Sequence, residues 1–500
     1  MDDQDNSPVP EDPTWAEAPK PEAVISPGDQ TNARVPPPPV RDRRWHHTDL
    51  AAASELLAKY GETFRYNYDR GSYLVYVEEE GRWDVDHTGH VRRCVHKMGR
   101  DAWRAVQVVK TRAQLSYAKR LTSHAGTEAI VAKARFLLGV SVGNKHLDAD
   151  PWSLNTIRGV VDLRTGEVGP HDSALLLSKL APVQYDPRAQ CPKWLNFLTE
   201  ITEADESLMI YLQRLAGHWL TADVSVQEFW IFHGGGDNGK SVFLDTVKGI
   251  MGDYAVTAPE SLVTANQHGS HSTDIAMLCG TRLAVASETE AGVPLRMQLI
   301  KRLTGDAGLQ ARFMRMDNFE FPRTNKTVIV TNNRPVLTEI SGAVRRRVRL
   351  VPFSFIVPPE RKNTNLLAEL REEWPGILAW AVRGCIEWQA DGLAAPQSVT
   401  QASENYMAEQ DDVADWIEAR CSLGAGNWGT REELYSSYCS WAGHGNLKLS
   451  KLTFYERLRR YPDVEDLRKS VAGEPRRGFQ GIRLSTPEPF AERAQDGEMF

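Results

Sequence analysis

The sequence predicts an α/β protein. A central parallel sheet with flanking helices is expected over residues 223–358, with an α+β accessory region before it and a small, mainly helical domain after it. Three observations predict this. From Glu228 onward the short apolar runs EFWIFHG, RLAVASE, TVIVTNN and VRRRVRLVPF alternate with helical or turn sequence, the pattern of a parallel sheet covered on both faces. The first run enters a glycine-rich loop, Gly234 to Ser241, which opens the helical sequence KSVFLDTVKGIM. Near the carboxyl terminus, a local excess of Lys and Arg interrupts a chain whose net charge is −7.

Length and composition set the frame. Five hundred residues allow about three domains, and hydrophobic and charged fractions of 41% and 25% belong to an ordinary globular chain. The mild acidity excludes a chain coated all over with positive charge but leaves room for a basic patch. No run approaches the ~20 apolar residues of a membrane span, and the acidic start MDDQDNSPVPEDP does not read as a signal peptide. A cytoplasmic protein without a membrane partner is expected. The six cysteines are scattered without a CxxC pair, so reduced, structural thiols are expected, Cys94 beside His96 included.

Ten of the 28 prolines precede residue 40, and with few large apolar residues around them residues 1–46 are expected to be a disordered tail. An accessory α+β domain follows over 47–140. Thr48 caps the periodic LAAASELLAKY, and Gly61 stops it. YLVYVEEEGRWDVD is a hairpin around Gly81, and its acidic cluster (Glu78, Glu79, Glu80, Asp84, Asp86) reads as a solvated tip rather than a metal site. Residues 141–222 are read as a second hairpin, turning at Thr165-Gly166, plus a helical collar. After the core, 359–405 is a helical lid and linker, 406–490 the terminal domain and 491–500 a flexible tail.

Chemistry concentrates in the core. Gly234-Gly235-Gly236-Asp237-Asn238-Gly239-Lys240-Ser241 fits the phosphate-loop pattern of Gly, four residues, then Gly-Lys-Ser/Thr, in the required strand–loop–helix context. Its amides would face a phosphate, with Val242 continuing the helix. Lys240 would reach the β- and γ-phosphates of ATP, and Ser241 would ligate Mg²⁺. The run RLAVASE ends in Glu288 and, two residues on, Glu290; one carboxylate suits the metal (Glu288 is preferred), the other the attacking water, with the order left open. Asn332, ending TVIVTNN, is a candidate γ-phosphate sensor, although Asn-Asn-Arg-Pro is also turn chemistry. Arg345, Arg346, Arg347 and Arg349 crowd one strand entrance, where anions or a neighbouring subunit's phosphate would stabilise them.

The ordered set GGGDNGKS, RLAVASETE, IKRLTGD, VTNN and AVRRRVRLVPF resembles the superfamily 3 helicases, and more narrowly the primase–helicases of phages, plasmids and large DNA viruses. The resemblance spans roughly 140–360. It implies an AAA+-like P-loop ATPase in a homo-hexameric ring that hydrolyses ATP between subunits and moves single-stranded DNA through its centre, with 3′-to-5′ travel. It also implies residence in a bacterial host cell as a phage, prophage or plasmid product. By the same matching, Arg346 or Arg347 is the finger, and Lys301, Arg312 and Arg315 with Phe313 face the channel. A polymerising primase domain, frequent in relatives, has no counterpart among the motifs here.

In the terminal domain, DDVADWIEARC, TREELYSSYCSWAGH and SKLTFYERLRRY, followed by GFQGIRL, read as a winged helix-turn-helix. Lys451, Arg457, Arg459 and Arg460 would form the recognition surface, and Arg476 and Arg477 the wing. Residues 448–483 hold ten Lys or Arg against five Asp or Glu, a reversal of sign that fits phosphate contact. The expected activity is ATP-dependent replicative DNA helicase on single-stranded and forked DNA, with a replication polymerase or primase as further partners. Its rivals are a bifunctional primase–helicase and a nucleotide-switched replication initiator.

Overall fold

A computed structural model of the protein describes residues 48–108, 111–264, 272–287, 293–312, 318–337, 339–410, 412–442, 449–459, 461, 463–471 and 474–485. The tails expected at 1–46 and 491–500 lie outside the described residues. Helix α1 (Asp49–Tyr60) starts where the Thr48 hydroxyl accepts the Ala51 N–H at 3.1 Å. Gly61 ends it with a right-handed φ of −63°, so the stop is not a left-handed cap. Strands β1 (Phe64–Asn67), β2 (Ser72–Val77) and β3 (Arg82–Val85) form an antiparallel meander turning at Gly81, backed by α2 (His90–Val108), α3 (Arg112–Thr122) and α4 (His124–Ala134). The acidic hairpin tip is organised by Arg82, which pairs with Glu80 and reaches Asp253 at 2.7 Å. A short β4 (Ser141–Val142) pairs in parallel with β1, so this sheet (order β3-β2-β1-β4) extends past residue 140.

The second hairpin is part of a three-stranded antiparallel sheet, β5 (Ser153–Thr156), β6 (Gly159–Asp162) and β7 (Glu167–Gly169). The collar helices α5 (Pro192–Ile201) and α6 (Glu206–Leu220) follow. They share one apolar core with the main sheet, built around Trp194, Trp219, Trp230, Trp380 and Trp388.

The central sheet comprises β8 (Phe229–His233), then α7 (Lys240–Met251), β9 (Ala255–Ala258), α8 (Ser272–Ala276) and β10 (Leu283–Ser287). There follow α9 (Met297–Gly305), the antiparallel hairpin β11 (Gly308–Arg312) and β12 (Asn318–Pro322), β13 (Lys326–Thr331), α10 (Gly342–Arg347) and β14 (Val348–Pro352). All five sheet strands are parallel, in the order β14-β8-β13-β10-β9. The chain is thus mixed α/β with a central parallel sheet and flanking helices. β9 was not expected: its sequence AVTA is too short and polar to stand out, and it lies at the sheet edge. A second correction concerns VRRRVRLVPF. Arg345, Arg346 and Arg347 form the last turn of α10, not a strand, because the Ser341 hydroxyl accepts the Val344 N–H and starts a helix.

The lid consists of α11 (Leu366–Glu372), α12 (Trp374–Asp391) and α13 (Gln397–Glu409), with Pro375 in the first turn of α12, where its missing N–H costs nothing. α12 lies so close to α6 that a Cβ on Gly217 would stand 2.1 Å from the Cys385 nitrogen; only glycine allows this approach. The terminal unit runs α14 (Asp412–Arg420), β15 (Cys421–Thr430), α15 (Arg431–Trp441), α16 (Lys451–Leu458), β16 (Glu465–Val471) and β17 (Glu474–Leu484), with antiparallel order β15-β17-β16. Among the described residues no helix is long and apolar enough to cross a membrane.

Candidate functional site

The apolar strand β8 is fully buried over its first four residues and delivers its carboxyl end to the glycine loop. There the chain needs backbone that only small or polar residues supply: Gly236, Asp237 and Gly239 have φ of +99°, +47° and +80°. Gly239 also presses on α5, since a Cβ there would lie 2.5 Å from Ile201 Cγ2. Among the described residues a Cβ on Gly235 or Gly236 would meet nothing within 4 Å, so they leave the loop's crest open. α7 then begins at Lys240 and Ser241, with no side-chain cap on its first turn and its dipole positive toward the loop.

Lys240 is only 3% exposed, and its ammonium is held by oxygens. Nζ donates to the Gly234 carbonyl at 2.8 Å, to Asn238 Oδ1 at 2.8 Å and to Asn332 Oδ1 at 3.1 Å. The structure therefore brings Asn332, 92 residues away in sequence, to the loop lysine. The register explains it: Thr331 of β13 pairs with His233 of β8, so the residue after each strand leaves the sheet at one level. Burial, with the Arg334 and Lys240 charges nearby, holds the His233 imidazole below its usual value. Ser241 is exposed, and Val242 packs half-buried against the core. β10, the strand carrying the acidic motif, ends level with this edge, Ser287 pairing with Val330. Glu288 and Glu290 themselves lie outside the described residues.

A strap after β14 fastens the loop. Phe353 accepts from Asn238 Nδ2 at 3.2 Å, Val357 donates its N–H to the Asp237 carbonyl at 2.8 Å, and Lys362 pairs with the Asp237 carboxylate at 2.7 Å. A second tie, unexpected from sequence, joins the segment after β13 to α13. The Tyr406 hydroxyl donates to the Pro335 carbonyl, Arg334 pairs with Glu409, and Gln410 Oε1 accepts the Leu337 N–H at 3.1 Å.

The arginine cluster lies at the opposite end of the sheet. Val348 pairs with Phe229, so α10 sits at the amino ends of the strands, about 15 Å from the loop at roughly 3.3 Å per residue. Arg345 and Arg346 are exposed there. Arg347 turns back on its own chain, donating to the Ala343 carbonyl at 3.2 Å and to Gln227 at 3.4 Å, and Arg349 pairs with the half-buried Glu228 at 2.8 Å.

The expected nucleic-acid contacts divide. Arg312 is exposed at the end of β11, whereas Lys301 is paired with Glu339 at 2.6 Å; Phe313 and Arg315 lie outside the described residues. In the terminal unit Lys451 is exposed, and Arg460 lies outside the described residues. Arg457 is corrected: it is 4% exposed, because α16 turns it inward with Phe454 and Leu458, and its guanidinium donates to the Gln410 carbonyl. Arg459 is tied to Asp466 at 2.6 Å. Arg476 and Arg477 are exposed on the β16–β17 hairpin, directly opposite Lys469 and Arg468.

Comparison with known proteins agrees with this layout. The "D5 N terminal like" family model matches residues 53–203, and the "Family of unknown function (DUF5906)" model matches residues 232–347. The chain is similar to "Putative helicase L207/L206" of Acanthamoeba polyphaga mimivirus, 24% identical over 295 residues that cover 55% of this chain and 31% of that protein. It is also similar to "Putative helicase 184R" of Invertebrate iridescent virus 6, 23% identical over 327 residues, 57% of this chain and 34% of that protein. The chain thus matches about a third of the length of these curated relatives. Among solved structures, the A form apo structure of the NrS-1 C terminal region shares the fold, with a TM-score of 0.50 at 13% identity over 87% of this chain and 99% of that one. Two family models stand in order on one chain, and the viral proteins it is similar to are named as putative helicases, so the chain resembles the phage and viral primase–helicases.

Proposed function

We propose that the chain is the motor of an ATP-dependent DNA helicase of the superfamily 3, AAA+-like type, working as a homo-hexameric ring on single-stranded and forked DNA. The observation that carries this reading is the sharing of the Lys240 ammonium between the loop and Asn332. Charged phosphate oxygens can replace the neutral oxygens that hold Lys240 among the described residues, and Asn332 is then released toward the attacking water. The open crest at Gly235 and Gly236 and the start of α7 fit a triphosphate, and the exposed Ser241 fits a metal ligand. Mg²⁺, when bound, would neutralise charge on the transferring phosphoryl group, with Ser241 and Glu288 to hold it and Glu290 to orient water.

Arg346 is the better finger. It is exposed at the edge of the sheet remote from its own loop, so it serves a neighbouring subunit, whereas Arg347 is engaged within its chain. The hairpin β11–β12, through Arg312, is the candidate strand contact in the channel. The terminal unit has the helix–strand–helix–helix–strand–strand order of a winged helix-turn-helix, and its wing, with Arg468, Lys469, Arg476 and Arg477, is the duplex contact. Four cations in two directly opposed pairs repel one another and are relieved by phosphates.

The test is unwinding of a forked DNA with Mg-ATP, comparing wild type with Lys240→Ala. Strand separation by wild type alone, with nucleotide turnover reduced at least a hundredfold in the variant, is the expected result. Tight ATP binding and DNA binding by wild type without strand separation would sink the helicase reading in favour of a nucleotide-switched initiator.

A further inference from the structure

A cavity of about 390 Å³ lies where the amino-terminal sheet, the β5–β7 segment and the motor meet. That volume is in the range of small-ligand pockets, ~300–1,000 Å³. Among the described residues its lining carries five cations, Arg70, Lys145, Lys179, Arg282 and Arg323, against one carboxylate, Asp148. Asp69 stands nearby and accepts the Asn144 N–H at 2.6 Å. Such an excess of positive charge in a chain of net charge −7 is not a sampling of its surface.

The cations fall into two kinds. Arg282 and Arg323 are buried and fixed, and their partners are backbone carbonyls: Leu220 and Ser153 for Arg282, Asp306, Leu303 and Val224 for Arg323. Carbonyl dipoles satisfy their donors without cancelling their charge, so both leave a standing positive field in the wall. Arg70, Lys145 and Lys179 face that field from the other two segments. None of the five makes an ion pair among the described residues. Asp148 is already engaged, accepting from the Ser178 N–H at 2.8 Å and from its hydroxyl at 2.5 Å. Arg70 and Lys145 are exposed at the mouth, and the Lys179 stem crosses to the motor wall at Gly280.

We propose that this cavity is a phosphate-binding site for single-stranded nucleic acid, in which Arg70, Lys145 and Lys179 contact consecutive backbone phosphates as a strand passes between the amino-terminal region and the motor. The inference rests on the proposed DNA-handling function. A strand fits better than a free nucleotide because the motor wall is Phe321–Thr324, the base of the β11–β12 hairpin. A strand held here is therefore led to the element that carries Arg312. The contact is indifferent to sequence, as the lining offers cations rather than base-reading amide pairs.

The experiment uses the full chain and a fluorescent oligothymidylate, with affinity followed by anisotropy across a salt series. The R70A/K145A/K179A variant is expected to give a plot of log affinity against log salt shallower by about 2, from ~0.7 per phosphate over three contacts. The charge-conserving R70K/K145R/K179R variant is expected to keep the wild-type slope, and ATP-analogue binding is expected to be equal in all three. An unchanged slope in the alanine variant, with wild type binding normally, overturns the site alone. Failure of wild type to bind the oligonucleotide at any salt overturns the motor reading together with it. A variant that loses only competition by thymidine monophosphate, with its strand slope intact, makes the cavity a free-nucleotide site and overturns the strand assignment.

Discussion

At the scale of single residues, the site depends on a few positions with no tolerance. Gly239 combines a φ of +80° with a wall of Ile201 and Phe197 2.5–3.2 Å from a would-be Cβ. Gly239→Ala therefore adds left-handed strain of ~1–2 kcal/mol to a steric clash, and it displaces the start of α7. A loss of ATP-analogue affinity larger than the loss of thermal stability is expected, readable by titration beside a melting curve; an unchanged affinity would contradict the loop geometry. His218 is a different case. It is fully buried against Trp388, with ring centroids 4.3 Å apart, and neither ring nitrogen has a partner among the described residues. Burial, with the nearby Lys326 charge, pushes its pKa well down. Below about pH 6.5 the unfolded chain takes up a proton that the fold refuses, so stability falls as pH falls, by up to ~1.4 kcal/mol per pH unit. His218→Phe should match or exceed wild type at pH 7.5 and lose less stability between pH 6.5 and 5 in urea titrations. Parallel pH profiles would show that this histidine is not responsible.

At the scale of elements, the duplex contact proposed for the β16–β17 hairpin would set binding against stability. Arg468 faces Arg477 and Lys469 faces Arg476 across the strands, each pair costing a fraction of a kcal/mol. Replacing Arg476 and Arg477 together by Ala should raise the melting temperature of the terminal unit slightly. It should also flatten the salt dependence of duplex binding by about 2, at ~0.9 per phosphate. Reduced stability with undiminished duplex binding would remove the wing from the interface. The same hairpin marks what the sequence could and could not tell. Its charge reversal was legible by counting, and so were β8, β10, β13 and β14, because buried parallel strands are short apolar runs. Which arginine faces inward was not legible: Arg457 and Arg459 are near neighbours in one basic run, yet one is buried against Gln410 and the other held by Asp466. The helix at Arg345–Arg347 had its signal in Ser341, a cap outweighed by the β-rich residues after it. The pairing of Arg282 and Lys326 with carbonyls at the end of α6 had no local signal, since it joins segments far apart in sequence.

At the scale of the whole molecule, the sheet separates the two parts of the proposed ATP site. The loop, Lys240 and Asn332 lie at the carboxyl ends of the strands, and Arg346 is exposed at their amino ends. Roughly 15 Å of strand separates them, more than an arginine side chain spans, so in the proposed ring a complete site would join the cradle of one subunit to the arginine of the next. This geometry makes a strong prediction for mixtures. Lys240→Ala lacks a working cradle but keeps its arginine, and Arg346→Ala has the reverse defect. Each alone should be inactive. Mixed before assembly, they should recover a fraction of ATPase activity, because interfaces that join an intact cradle to an intact arginine form at random. The yield should peak near equal proportions and vanish when preassembled rings are mixed without exchange. If Arg346 acted on its own subunit's nucleotide, no mixture would recover activity; if it had no role, the Arg346→Ala protein would be active alone. Recovery in the mixture would show that hydrolysis belongs to the contact between chains rather than to the fold of one.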